Sequence, residues 1–552
     1  MNLIRKIYLY IWTIKFLKFE QIFYRIKYLL ISVNRIQVSH RPVILRSWKW
    51  SSPPFYAGSY DGKSTFNFLN QKIKFNSSIR WNDESIEKLW LYNLHYFDDL
   101  NAIDSINRID SHKLLVKDWI KNNPLATGGI GWEPYTLSIR LVNLVKWCSR
   151  LKIDDAEILE SIYSQAQVLS KTVEYHILGN HLLSNAKALM FVGRYFEGKT
   201  GEVFINQAST LFERELKEQF LDDGGHFELS PMYTAIAVFD ILDLINLERT
   251  TSSDKPSELD KNLCLIAQKG LYWLQVMSHP DGEVSFFNDS ANGIAPRISY
   301  LLSYASMLKV FPSQKIDNQV LLTLKNSGYS RISIGENTLI FDHANIGPDY
   351  LPGHGHADSL SVEWSIGNHR VLVNSGTSLY EASNERHRQR KTSSHNTVEV
   401  DGFDSSEVWS SFRVARRAYS SIESSQSNGN SVSICASHNG YQRLSGKVTH
   451  SRCIDVTNSD VKITDNLSGR WKEAFAFFHF HPEIEIRQLN PNCISLVTPS
   501  GYKILMETTG IISLQESTWH PEFGVSIFNM KCLVAFENNL LKTTFSCMRI
   551  CN

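Results

Sequence analysis

From about residue 83 to residue 310, apolar side chains recur at steps of three and four, the spacing that lines one face of a helix. The pattern predicts helices over 111–122, 136–151, 155–175, 181–196, 204–220, 231–247, 260–277 and 296–310. Short turns join them and no strand pattern intervenes, so they pair as stacked antiparallel hairpins, and a ring of hairpins buries every inner face. Near Ser327 the period changes to two. Alternating runs at 331–334, 338–341, 360–366, 370–373, 396–400 and 462–464 read as strands, with Gly367-Asn368 a tight hairpin turn between two of them. The expected fold class is multidomain α+β: a helical domain over 80–315, then an antiparallel β-sandwich of two packed sheets over 325–552.

Ahead of both, within 1–50, the pattern predicts one or two basic, aromatic-rich helices. Between Met1 and Ile31 the apolar residues are interrupted by Arg5, Lys6, Lys15, Lys18, Glu20, Arg25 and Lys27, and no small-residue cleavage site follows. The segment therefore reads as neither a membrane span nor a cleavable signal. Two readings stay open: helices packed on the domain behind, or a basic amphipathic anchor on an anionic membrane face. The expected location is cytoplasmic, with peripheral attachment to the inner membrane through these helices.

A chain of 552 residues is too long for one core, which agrees with two large domains. The formal net charge of +1 gives no bulk field for nucleic acid, so none is expected as a partner, and a polyanion has to be met by a local basic cleft. An aromatic content of 12%, with 13 Trp, suits stacking on sugar rings and suits a large helical core equally well. The eight cysteines are scattered without a CxxC pair and read as reduced, mostly buried thiols.

Candidate chemistry gathers in three places. In Pro352-Gly-His-Gly-His-Ala-Asp-Ser-Leu-Ser361, an extended strand would turn His354, His356 and Asp358 to one face, suited to a metal or to proton transfer. Gly179-Asn-His-Leu-Leu-Ser-Asn185 starts a helix, where Asn180 serves either as a cap or as a site residue. In Gly224-Gly-His-Phe-Glu-Leu-Ser-Pro-Met-Tyr233, Ser230-Pro231 is a helix start that places Tyr233 in the first turn, ready to give or accept a proton. Arg386, Arg388, Arg390 and Lys391 read as a solvated loop, or as a carboxylate- or sulfate-binding cluster near His395.

Together with Asn93-Leu-His-Tyr-Phe97, Gly131-Trp-Glu-Pro-Tyr135, Arg140, Phe287-Asn-Asp-Ser290, Asn374-Ser-Gly-Thr377 and Ser394-His-Asn-Thr-Val398, these pieces run collinearly over roughly 90 to 420. The set resembles the heparinase II/III-like polysaccharide lyase superfamily. The resemblance implies an incomplete (α/α) toroid followed by a β-sandwich, with the active cleft between them. It implies β-elimination on a uronate-containing polysaccharide, an anionic partner. Asn180, with His181 beside it, would neutralise the uronate carboxylate, Tyr233 would move a proton at C5 or O4, and His354 would be a partner base. Trp132, Glu133, Arg140, Arg390 and His395 fall at matching motif positions as substrate-binding candidates, and Arg386 joins them from the basic cluster. Some members hold zinc or a similar divalent ion through positions matching His356, Asn374 and His395, where the amide of Asn374 replaces a carboxylate and weakens the site. Leu229 and Thr234 replace an Arg and a His of close relatives.

The reading is a polysaccharide lyase acting on a bacterial surface glycan and linked to polysaccharide biosynthesis. A uronyl C5-epimerase on the same fold, or a non-catalytic carbohydrate-binding scaffold, is the alternative.

Overall fold

Each predicted helix forms, with its apolar stripe turned inward. The computed structural model describes residues 3–30, 36–39, 44–251, 256–316 and 319–549, so Met1, Ile31 and Cys551 lie outside the described residues. The helices are α1 (Leu3–Ile14), α2 (Phe19–Leu30), α3 (Lys88–Tyr96), α4 (Ile109–Asn122), α5 (Pro134–Leu151), α6 (Ala156–Lys171) and α7 (Gly179–Tyr195), followed by α8 (Gly198–Gln219), α9 (Pro231–Thr251), α10 (Glu258–Val276), α11 (Ile298–Met307) and the short α12 (Asn384–Arg390). Local signals fix their starts. Pro134 opens α5, Asp155 accepts from the Glu157 and Ile158 amides ahead of α6, and Ser230 Oγ accepts from the Tyr233 amide at 3.2 Å ahead of α9.

Helices α5, α7 and α9 carry the deepest part of the core, including Leu141, Trp147, Leu189, Phe191 and Ile241. A buried ion-pair cluster ties the same three helices together. Lys187 Nζ on α7 lies 2.6 Å from both Asp240 Oδ1 and Asp243 Oδ2 of α9, and Lys146 Nζ on α5 lies 2.5 Å from Asp243 Oδ2. Removing either lysine would leave an uncompensated carboxylate in the core.

The β region forms two antiparallel layers. One is an eight-stranded sheet, in spatial order Ser420–Ser427, Val432–His438, Thr449–Val456, Asp460–Ser468, Leu540–Arg549, Tyr502–Thr508, Cys493–Val497 and Glu485–Asn490. The other joins a five-stranded meander, Leu321–Leu324 through His369–Leu372, to a four-stranded sheet made of Ile511–Trp519, Ile527–Ala535, Ala474–His479 and Val398–Val400. They meet where Leu372 bridges Phe480. Trp364, Phe478, Ile463 and Phe545 pack between the layers. The Gly367-Asn368 hairpin forms as predicted: Ile366 pairs with His369 and Gly367 takes the positive φ of 55° that the turn requires.

Two expectations are corrected. Cys435 and Cys453 face each other in register on neighbouring strands and are joined as a disulfide, whereas the sequence reading had every cysteine reduced. Linear spacing hides this pair, because the two meet only through strand register. The stretch 352–361 is not a strand but a turn-rich loop between Asn337–Asp342 and Val362–Ile366.

Both readings of the N-terminal segment had a helix, and two form. The first packs on the β side, with Tyr10 4.8 Å from the Trp409 ring and Trp409 Nε1 donating to Thr13 Oγ1 at 3.1 Å. The second packs on the toroid, with Tyr28 hydroxyl donating to the Val173 carbonyl at 2.5 Å and Tyr24 stacked on Tyr175 at 4.6 Å. The hairpin thus straddles the two domains.

Candidate active site

Three segments with unusual backbone meet under that hairpin. Leu178, Leu229 and Asn288 are non-glycine residues at φ of 71°, 58° and 57°, and they precede Gly179-Asn180, the start of α9, and Asp289 respectively. Such conformations persist where the surrounding structure holds them, commonly at functional sites. Gly179 shows why: a Cβ there would collide with Leu351 and with the Glu228 carboxylate. A Cβ at Gly355 would likewise stand 2.6 Å from the Ile346 carbonyl oxygen, so both glycines let chain segments close around the site.

Beside these segments lies a cavity of about 970 Å³, lined by Asn180, His181, Glu228, Tyr233, His354 and Tyr380 and roofed in part by Ile14, Leu17 and Ile22 of the hairpin. All four residues expected to carry catalysis therefore converge. The Tyr233 and His354 rings lie 3.9 Å apart between centroids, and the Tyr233 hydroxyl is 3.0 Å from the Tyr380 hydroxyl. Burial, reinforced by Tyr380, raises the Tyr233 phenol well above its ordinary value. His354 Nδ1 donates to Asp289 Oδ2 at 2.9 Å, while its Nε2 stands 3.5 Å from Glu228 Oε2, beyond hydrogen-bond length.

Asn180 is not the cap of α7, which is Leu178. Its backbone N–H and its Nδ2 both donate to Glu228 Oε1 at 3.0 Å, so the two donors already hold a carboxylate. Burial opposes charge on His181, but Glu174, in contact with Nδ1 at 3.0 Å, raises its pKa above the ordinary value and favours the cationic form.

Asp289 is the residue that organises the site. It takes His354 Nδ1, His356 Nε2 at 2.9 Å and the Arg386 guanidinium, with Nη2 at 2.7 Å from Oδ2. Burial works against its charge, yet Arg386 and these hydrogen bonds hold it well below the usual carboxylate range. Sequence reasoning quoted Asp289 only within a motif. Glu228 too was quoted only within a motif, and Tyr380 and the cavity-lining Arg413 were missed as site residues. No local pattern marks them, because their role comes from which segments meet.

Several expected substrate contacts are structural instead. Arg386 is fully buried on Asp289, and Arg390, also buried, donates to the Gly355 carbonyl at 2.8 Å and so pins the loop that carries His354. Arg140 is buried over the Trp119 ring and donates to the Gly131 and His95 carbonyls. Trp132 is buried with Nε1 on the Asn123 carbonyl. Glu133 pairs with Lys88 at 2.9 Å and contacts Tyr92, behind the cavity wall that those two residues form. Leu229 and Thr234 are buried parts of the turn into α9: the Leu229 carbonyl accepts from Tyr329, and Thr234 Oγ1 donates to Ser230. The basic residues that do line the cavity are Lys88, Arg25, Arg413 and Arg417.

His354, His356 and Asp358 do not share a face as a strand would have made them. The first two converge on Asp289, whereas Asp358 turns to the Asn288 amide at 3.1 Å. His356, His395 and Asn374 are brought together but in a line. His356 Nδ1 meets His395 Nε2 at 3.3 Å, and Asn374 Oδ1 lies on the opposite ring edge of His395, 3.1 Å from Nδ1. The three donors do not converge on one point, so this set does not fit a three-ligand metal centre. Among the described residues no cluster of three or more His, Cys, Asp or Glu is placed to hold a metal ion. His395 lies in this buried line rather than on the cavity wall.

Residues 47–317 match the heparinase II/III N-terminus, and residues 318–537 match the heparinase II/III-like C-terminal domain. A heparin-sulfate lyase of Pedobacter heparinus is 26% identical over 318 residues, 51% of this chain and 47% of that protein. A heparin-sulfate lyase of Bacteroides stercoris is 23% identical over 425 residues, 67% of this chain and 59% of that protein. The matched stretches thus span about half of these relatives' own lengths. A crystal structure of heparinase III superposes with a TM-score of 0.71 at 18% identity, covering 86% of this chain and 80% of that one, a likeness of fold.

Proposed function

The chain belongs to the heparinase II/III-like superfamily, with an (α/α) toroid followed by a β-sandwich, and from that premise we propose that it is a polysaccharide lyase cleaving a uronate-containing glycan by β-elimination. The observation that carries the reading is the stacking of Tyr233 on His354 beside the carboxylate-binding donors of Asn180.

In the elimination a base takes the C5 proton, the C4–O4 bond breaks, a C4–C5 double bond forms and the leaving O4 receives a proton. His354 is suited to the first step. Asp289 holds Nδ1–H, which fixes the ring and leaves Nε2 as the basic atom on the cavity side. Tyr233 is suited to the last, because a raised phenol keeps its proton at neutral pH and can release it to a developing alkoxide. Cationic His181 would bind the uronate carboxylate and stabilise the charge that builds on it as C5 loses its proton, with Asn180 joining it by turning its amide from Glu228 to the substrate. Lys88 and Arg413 supply positive charge at the cavity wall for an anionic chain. The substrate we favour is a bacterial surface glycan.

The decisive experiment is incubation with uronate-containing polysaccharides in deuterated solvent, following absorbance of the unsaturated uronate together with chain length. Unsaturated product with chain shortening is the expected result. Deuterium at C5 with unchanged chain length would make the protein an epimerase, and binding with neither change would make it a scaffold.

A further inference from the structure

The hairpin of α1 and α2 turns one face to the protein and leaves the other apolar. Leu3, Ile7 and Ile11 form one exposed stripe along α1. Phe19, Phe23 and Leu30 form another along α2 at helical spacing, with Leu29 beside them, and Phe19, Leu29 and Leu30 are 81%, 85% and 83% exposed. Isolated exposed apolar residues need no explanation, but a stripe at helical spacing on each of two successive helices is of the kind that marks an interaction surface. The flanks are basic: Arg5, Lys6, Lys15 and Lys27 are exposed, Arg25 is exposed at the cavity wall, and the hairpin's one acid, Glu20, is 3.0 Å from Arg214. Neither helix is long enough to cross a bilayer, and among the described residues no helix is a candidate span.

We infer that this hairpin is an interfacial docking element for an anionic lipid bilayer. Its apolar stripes would enter the headgroup boundary while its cations stay at the lipid phosphates. Charge favours this occupant over a second copy of the chain. A two-fold interface would set the same four flank cations against themselves, whereas an anionic surface neutralises them. The same helices line the cavity through Ile14, Leu17, Ile22 and Ile26, so docking would hold the cavity close to the lipid surface. The packing contacts of Tyr10, Thr13, Tyr24 and Tyr28 lie on the inner face and are compatible with docking through the outer one.

The test is flotation of the full chain with phosphatidylcholine vesicles, with and without phosphatidylglycerol, at low and high salt. Binding to the anionic vesicles that weakens with salt is the expected result. Replacing Ile7, Ile11, Phe23 and Leu30 together by Ser should lower partitioning about ten-fold or more with an unchanged melting temperature, since all four are exposed. A separate charge reversal, Arg5→Glu with Lys6→Glu and Lys27→Glu, should remove the preference for anionic lipid. Absence of binding to either vesicle would overturn the proposal. So would a dimer in solution that the four serines dissolve, because the patch would then belong to a second copy.

Discussion

His354 Nδ1 lies 2.9 Å from Asp289 Oδ2, and the same carboxylate holds His356 and the buried Arg386. One side chain thus sets both the tautomer of the proposed base and the charge balance beneath it. Asp289→Asn should lower kcat about 100-fold or more, because the amide no longer fixes Nδ1–H as its donor. It should also lower stability by about 3 kcal/mol, since Arg386 keeps its charge without a counter-ion. Single-turnover rates and a melting curve separate the two effects. A lowered melting temperature with an unchanged rate would reduce Asp289 to a structural residue.

Tyr233→Phe and Tyr380→Phe remove the two hydroxyls that meet at 3.0 Å. Their consequences should differ. The first should remove about 10²–10⁴-fold of the turnover while substrate binding persists, because a proton donor is lost and little packing changes. The second removes only a neighbour of that donor and should cost a few-fold, roughly the effect of one hydrogen bond. Equal losses in both variants would assign the proton transfer to the pair rather than to Tyr233.

The sequence made the two-domain division and most helix starts legible, since a 3.6 period, a change to period two and caps such as Asp155 and Ser230 are local signals. It also pointed to Asn180, His181, Tyr233 and His354, each in a distinctive motif, and those four meet in one cavity. What stayed hidden depends on long-range contact. Arg386 and Arg390 look like substrate-binding cations in a polar run, but chain folding buries both against Asp289 and Gly355. Asp358 alternates with His354 in sequence, yet the glycines break the strand geometry that alternation assumes. Cys435 and Cys453 needed strand register to be paired.

The cations that replace them at the cavity wall give a prediction about binding. Arg413 is exposed and donates to the Tyr10 hydroxyl at 3.0 Å, and it lines the cavity without touching Tyr233 or His354. Arg413→Gln should raise KM several-fold with kcat nearly unchanged, about the effect of one surface cation on a polyanion. The difference from the native protein should shrink as salt rises. A fall in kcat at saturating substrate would move Arg413 into the reacting centre.

Asp358 and Asp342 are both buried, and burial raises both above the ordinary range, Asp342 further opposed by Asp358 and Asp358 by Asp289. A raised acid keeps its proton in the folded state after the unfolded chain has lost it. The stability it contributes is therefore complete below the unfolded pKa and is lost as pH rises through the folded one. Asp358→Asn removes one ionisation, and its side-chain oxygen can still accept from the Asn288 amide. The variant should lose less stability than the native chain between the ordinary carboxylate range and neutral pH. Melting temperatures taken across that interval should converge at the acid end and diverge toward neutrality, and parallel curves would show that this pair does not set the pH response.

His356, His395 and Asn374 lie in a buried line whose tautomers follow from its ends. With neutral imidazoles, His356 Nε2–H donates to Asp289, so its Nδ1 offers a lone pair toward His395 Nε2, 3.3 Å away. That gap is closed by a hydrogen bond only if His395 carries its proton on Nε2. Its Nδ1 then needs a donor, and the Asn374 amide supplies one when its nitrogen is turned to the ring, giving up the 2.8 Å bond its oxygen accepts from Ser361 Oγ; in the present orientation Nδ2 has no partner. A carboxylate at 374 cannot donate. It would draw the proton to Nδ1 and leave two lone pairs facing each other at a separation suited to two nitrogen ligands about 2.0–2.1 Å from one zinc ion. Elemental analysis should therefore find zinc below stoichiometry in the native protein and higher after Asn374→Asp. Stoichiometric zinc in the native chain would show that the amide does not set the His395 tautomer, and no rise in the variant would show that two imidazoles at this spacing are too few to hold the ion.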